Sequence, residues 1–136
     1  MSTPRSGAIL NTALPSSFRQ IRLVLAREPD HPAGDDDIAY TIVAPLTVDG
    51  LIDANLWKKY REACRVVRQR PGQGDALGHL VHRQGGSWAI RYDISGNVPD
   101  EAGYHFGEEH FVVGEYVSLN EDGEMRTFRV ASASPL

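Results

Sequence analysis

Cysteine is nearly missing from this chain of 136 residues, with Cys64 the single one. An internal disulfide is thereby excluded, and a lone thiol fits a reducing compartment, so a cytoplasmic setting is expected. Long hydrophobic runs are missing as well, none approaching the ~20 residues of a bilayer span. So is a basic surplus: 14 Lys and Arg face 18 Asp and Glu, a net charge of -4, which argues against general affinity for nucleic acid or for anionic membranes. No repeat of solenoid length and no heptad run occurs, which sets the repeat architectures aside. Ala8-Ile9-Leu10 is broken by Asn11 and Thr12, short of the roughly 7–15 apolar residues of a signal-peptide core, so no export signal is expected.

What is present describes one soluble domain. At this length a fold buries roughly two-thirds of its unfolded surface, enough for a core without disulfide, metal or cofactor. Residues 1–17, rich in Ser, Thr, Pro and Ala, are expected to form a flexible arm; residues 18–130 the domain; and residues 131–136, all small or terminal, a flexible tail. Phe18 to Arg27 alternates, with Ile21, Leu23 and Leu25 on one side, and predicts a half-buried strand. Glu28 to Asp37 holds two prolines, a glycine and five acids and predicts an exposed loop. Ile38 to Leu46 predicts a second strand that Pro45 ends or marks as an edge. Asp53 is a good N-cap for a helix running to about Cys64, its apolar face made by Leu56, Trp57, Tyr60, Ala63 and Cys64.

Further strands are predicted over residues 64–70, 77–83, 87–94, 104–113, 115–120 and 125–131. The clearest hairpin crosses Gln84-Gly85-Gly86, and a tight turn is expected at Asp122-Gly123. Seven or eight short, sequential strands with glycine-bearing turns imply antiparallel neighbours. The expected fold is mainly β: a small antiparallel barrel or curled sheet with one helix inserted after the second strand.

The side chains that could carry chemistry fall into three groups. Cys64, His79, His82, His105 and His110, with Glu108, Glu109 and Glu115, have the types a divalent metal takes. Their spacing is poor, since His79 and His82 on one strand point to opposite faces, as do His105 and His110 unless a turn at Gly107 intervenes. The pattern is not the His-x-His of a cupin. Trp88, Tyr92, Tyr104, Phe106 and Phe111 either fill a barrel interior or line a pocket for an apolar ligand. The third group is a segregation of charge. Lys58, Lys59, Arg61, Arg65, Arg68 and Arg70 stand against Glu62 alone in residues 58–70, whereas residues 93–124 hold nine acids and no Lys or Arg. Such a chain pairs its charges internally, docks onto a second copy as a dimer, or holds an anion or partner on the basic patch.

No nucleophile elbow, His-Glu-x-x-His or complete phosphate loop is found. Gly72-Gln73-Gly74 lacks the following Lys-Ser, Asp35-Asp36-Asp37 lacks calcium-loop spacing, and Cys64 is expected on the packing face of the helix.

The segments Phe18 to Glu28, Arg65-Val66-Val67-Arg68, Gly78-His79-Leu80-Val81 and Gly86-Ser87-Trp88-Ala89 together resemble a group of small uncharacterised β-rich proteins of α-proteobacteria. The resemblance spans most of residues 18–130, implies a bacterial cytosolic setting, and brings no catalytic motif. The expected function is a soluble, non-enzymatic binding or interaction module that self-associates or takes an unidentified protein or small molecule. The alternatives are a metal-binding barrel or metal-dependent enzyme, and an apolar-ligand carrier.

Overall fold

Alternation of apolar and polar residues builds each wall of the fold. In the computed structural model, which describes residues 14–93, 100–103 and 105–136, Phe18–Leu25 forms β1 and Asp35–Pro45 forms β2. A short helix α1 (Ala54–Tyr60) follows, with a 3-10 turn over Arg61–Ala63. Then come β3 (Arg65–Gln69), β4 (Ala76–His82), β5 (Trp88–Tyr92), β6 (Glu101–Gly103), β7 (Tyr116–Glu121) and β8 (Glu124–Pro135). Every strand pairs antiparallel with its neighbour in sequence, and β8 returns to β1, so the sheet is a closed eight-stranded barrel. Of the two expected shapes, barrel and curled sheet, the barrel is the one formed.

Inward positions are apolar along most of each strand. Ile21, Leu23 and Leu25, Tyr40 and Ile42, Val66, Leu80, Ile90, Val117 and Leu119, and Phe128 and Val130 are all essentially inaccessible. Eight strands enclose a space that side chains alone can fill, and these fill it. One end is roofed by aromatic rings. Trp57 of α1 donates its indole N–H to the Leu80 carbonyl at 2.9 Å and meets Trp88 edge-on at 5.4 Å. His82 stacks on Trp88 at 4.0 Å, while Phe106 and Phe111 form a second edge-on pair at 5.2 Å. Asp53 caps α1 by accepting the Leu56 N–H at 3.1 Å.

Four segments differ from the sequence expectation. The α-helix stops at Tyr60 rather than near Cys64, because the chain must turn into β3: the Cys64 N–H closes a tight bond to Arg61 and its carbonyl is taken by the Leu80 N–H at 2.9 Å. Residues 35–37 belong to β2 rather than to the loop, brought into the ladder by a register shift that sets Leu25 opposite Asp35. The expected strand from Tyr104 to Val113 is replaced. Tyr104 lies outside the described residues, β6 ends at Gly103, and residues 105–115 run in turns. Phe106 doubles back onto Gly103, and Phe111 is held by its N–H to the Gly50 carbonyl at 2.8 Å. Finally, residues 131–135 are not a tail but the end of β8, paired with Arg19 to Arg22 of β1. Their small side chains bury little, yet their backbone completes the barrel.

Gly103 is required by this packing, since a Cβ there would lie 2.4 Å from the Phe106 ring. Gly103→Ala is expected to destabilise the fold by about 1–3 kcal/mol, the usual penalty of overpacking. Urea unfolding measures it; an unchanged midpoint would show that the Phe106 roof yields freely.

Candidate functional site

At the end of the barrel opposite the aromatic roof, the inward series change from apolar to charged. On β3 the face of Val66 continues through Arg68 to Arg70; on β7 that of Val117 and Leu119 ends in Glu121; on β8 Phe128 is preceded by Arg126. Tyr40 of β2, Tyr92 of β5 and Glu101 of β6 complete the layer. Glu101 and Glu121 are only 9% and 8% exposed, so burying them is offset only by the partners around them.

Those partners are arranged closely. Arg68 Nη1 donates to Glu101 Oε2 at 2.9 Å, and the Tyr92 hydroxyl donates to Glu101 Oε1. The Tyr40 hydroxyl lies 2.9 Å from the same Oε1 and also contacts Glu121 Oε2, which Arg70 Nη2 reaches as well. Arg126 Nη1 donates to Glu121 Oε1 at 3.2 Å, while its Nη2 and Nε grip both oxygens of Glu28 at 2.9 and 3.3 Å. Arg68 and Arg70 also lie over the rings of Tyr92 and Tyr40, at 4.8 and 5.2 Å. Burial, reinforced by the neighbouring carboxylates, pushes both tyrosines far above their ordinary value, so they stay neutral donors. Arg68, Arg70 and Arg126 thus balance Glu28, Glu101 and Glu121.

A groove of about 480 Å³ opens onto this layer between Arg68, Tyr92, Asp100, Glu101, Asn120, Asp122 and Gly123. Arg68 spends only Nη1 on a partner among the described residues, leaving its other N–H groups for a ligand. Asp122, held at φ 52° in the β7–β8 turn, has no partner for its carboxylate among the described residues. Asp100, on the same rim, is occupied by Arg83 and Arg91, each at 3.1 Å. The groove therefore offers the spare donors of the Glu101-paired Arg68 and the carboxylate of Asp122, with the ring of Tyr92 as an apolar wall.

The basic patch expected from the sequence does not form one face. Arg68 and Arg70 turn inward to Glu101 and Glu121, and Arg65 pairs with Asp93 at 2.9 Å. All three acids come from the acidic block 93–124, so much of the segregated charge is paired inside one chain. Lys58 and Lys59 remain exposed on α1, and Arg61 lies 5.7 Å above the Trp57 ring.

The aromatic candidates are divided between the two ends. Trp88, Phe106 and Phe111 are 1–3% exposed within the roof, Tyr92 belongs to the charged layer, and Tyr104 lies outside the described residues.

The histidines are dispersed. His79 Nδ1 lies 2.9 Å from the Asp93 carboxylate and its Nε2 3.0 Å from Arg65 Nη1. His82 stacks on Trp88 with Nε2 at the Gly86 carbonyl. His110 donates to the Asp49 carbonyl at 2.6 Å, and His105 lies 3.7 Å from Glu108 on the surface. Glu109 accepts the Ser118 N–H, its carboxyl raised by burial. Among the described residues no three His, Cys, Asp or Glu side chains gather where a metal could sit.

Sequence reasoning missed Tyr40, Glu28, Glu101, Glu121 and Arg126. The usable signal was parity: inward series on three strands end in a charge at the same end of the barrel.

Two measurements follow from these environments. Hydrogen bonds from Arg126 hold the Glu28 carboxyl below its ordinary 4.5, outweighing burial. Burial raises Asp100, but hydrogen bonds from Arg91 and Arg83 carry it below 3.8. A depressed carboxylate contributes stability above its ordinary value and loses it as pH falls through the folded value. Urea midpoints should therefore decline below about pH 4.5, with a shallower acid limb in Glu28→Gln; parallel curves would refute the Glu28–Arg126 linkage. Burial also pushes the Cys64 thiol up to about 12, so it should resist aromatic disulfide reagents in the folded chain and react on unfolding. Rapid native labelling would contradict this. The chain matches no protein-family model, no curated protein and no solved structure, so the geometry of the mouth is the ground for a functional reading.

Proposed function

We propose that this chain is a non-enzymatic binding module of the bacterial cytoplasm that takes a small dipolar ligand at the charged mouth of its barrel. One observation carries the reading: a groove of about 480 Å³ places the spare donors of Arg68 and the carboxylate of Asp122, unpaired among the described residues, on the same wall system. A molecule carrying both a carboxylate and an ammonium group complements that pair, and the fixed layer beneath it holds Arg68 in place through Glu101 and Tyr92.

Binding rather than turnover is favoured by the state of the reactive groups. The tyrosine hydroxyls are kept protonated and committed to carboxylates, and the thiol is sealed inside. The filled interior favours a ligand at the mouth over an apolar guest within the barrel. No helix among the described residues is long and apolar enough to cross a membrane, and the lone buried Cys64 suits a reducing compartment.

Free L-amino acids at millimolar concentration are the simplest probes. Amide NMR shifts are expected at Glu101 and over residues 120–123, lost in Arg68→Ala and weakened in Asp122→Asn. Asp122 is exposed, so its variant reports on binding without disturbing the core. Absence of shifts across the amino-acid panel, or shifts indifferent to both variants, would reject the site.

A further inference from the structure

The aromatic-roofed end carries a second surface of different character. Between β2 and α1 the chain makes a tight loop, with the Thr47 N–H bonded to Leu51 at 2.7 Å and the Gly50 N–H to Thr47 at 2.9 Å. A second loop is zipped onto it, through the Phe111 N–H to the Gly50 carbonyl and through His110 Nδ1 to the Asp49 carbonyl. Gly50, at φ 85°, allows the close approach, because a Cβ would stand 2.8 Å from Val112. This rigid support presents a fully exposed Val48 beside the exposed Val112 and Val113. A rigid apolar projection forfeits little entropy when it docks.

The projection itself forms one wall of a groove of about 600 Å³, Val48, Val112 and Val113 lining it on that side and Ser17, Leu46, Phe111 and Ala133 elsewhere. Its one charged lining residue among the described residues is Arg19, which spends only Nη1 on the Ser16 and Phe18 carbonyls. Ser17 Oγ is buried without a hydrogen-bond partner, the sole such side-chain atom among the described residues. On the projection, Asp49 is exposed and its carboxylate has no partner among the described residues.

We propose that this end is a two-fold docking surface for a second copy of the chain. Val48 of each copy enters the other's groove, and Asp49 meets the other copy's Arg19. The same surface bears both an exposed apolar rim and the groove it borders, and, among the described residues, both an unpaired acid and a cation with spare donors, which is what an isologous interface needs. The charge block on α1 takes no part, and the mouth lies at the far end, so this inference is independent of the ligand reading.

The test is sedimentation equilibrium of the full chain from micromolar to millimolar concentration, at low and high salt. A mass rising toward twice 15.0 kDa is expected, with an association that persists in high salt because its centre is apolar. Val48→Glu should weaken dimerisation by about tenfold or more. Asp49→Arg, which sets like charges together, should weaken it in a way that salt partly relieves. Both positions are exposed, so an unchanged circular dichroism spectrum and melting temperature serve as the control. A monomer throughout would overturn the proposal, as would a dimer indifferent to Val48→Glu, or one that salt alone dissolves, which would transfer the interface to the charged faces.

Discussion

Pairing of β1 with β8 is the constraint on which the rest of the fold rests. With that seam closed, each strand has a neighbour on both sides and the sheet presents no continuous free edge. The seam also fixes the radius of the interior, and with it which side chains fit. Leu23, Tyr40, Ile90 and Phe128 are sealed from solvent in that interior because the walls cannot open to admit water or a guest.

A closed cylinder still has two ends, and this chain covers them by opposite physics. One end takes α1 and the turns of residues 105–115 as a roof of rings, where burial of apolar surface is favourable and needs little orientation. The other is stoppered by ions. Desolvating that many charges costs of order several kcal/mol each before pairing, and the cost is offset only because every carboxylate oxygen in the layer finds a donor. Such a layer contributes less to stability than hydrocarbon of the same volume. What it supplies is a surface at the mouth whose guanidinium and carboxylate groups are already oriented.

The legible parts of the sequence were those where a local pattern has one physical cause. Alternation in Ile21-Arg22-Leu23 and in Trp88-Ala89-Ile90-Arg91-Tyr92 marked strands with one buried face, and Asp53 marked the start of the helix. Patterns with two causes misled. Phe106 and Phe111 are apolar because they roof the barrel, but in sequence they read as one more strand. Ala131 to Ser134 read as a tail because nothing in them asks for burial, although a ladder needs only their peptide groups. The charged layer was hardest to see. Arg68 and Glu101 are each ordinary surface residues by type, and only the register of separate strands brings them together; the two opposed charge blocks anticipated the pairing without locating it.

The seam has a consequence for the order in which the molecule is made. β1 is made before the other strands of the barrel and β8 after them, so until β8 follows, β1 has β2 on one side and an open edge on the other. A nascent sheet in that condition invites pairing with foreign chains. Arg19 and Arg22 on β1 set charge along the waiting edge, a protection that open strands commonly carry. In the finished barrel Arg22 is absorbed, donating to Gln69 and to the Asp36 carbonyl. The same side chain guards the unfinished sheet and fastens the completed one.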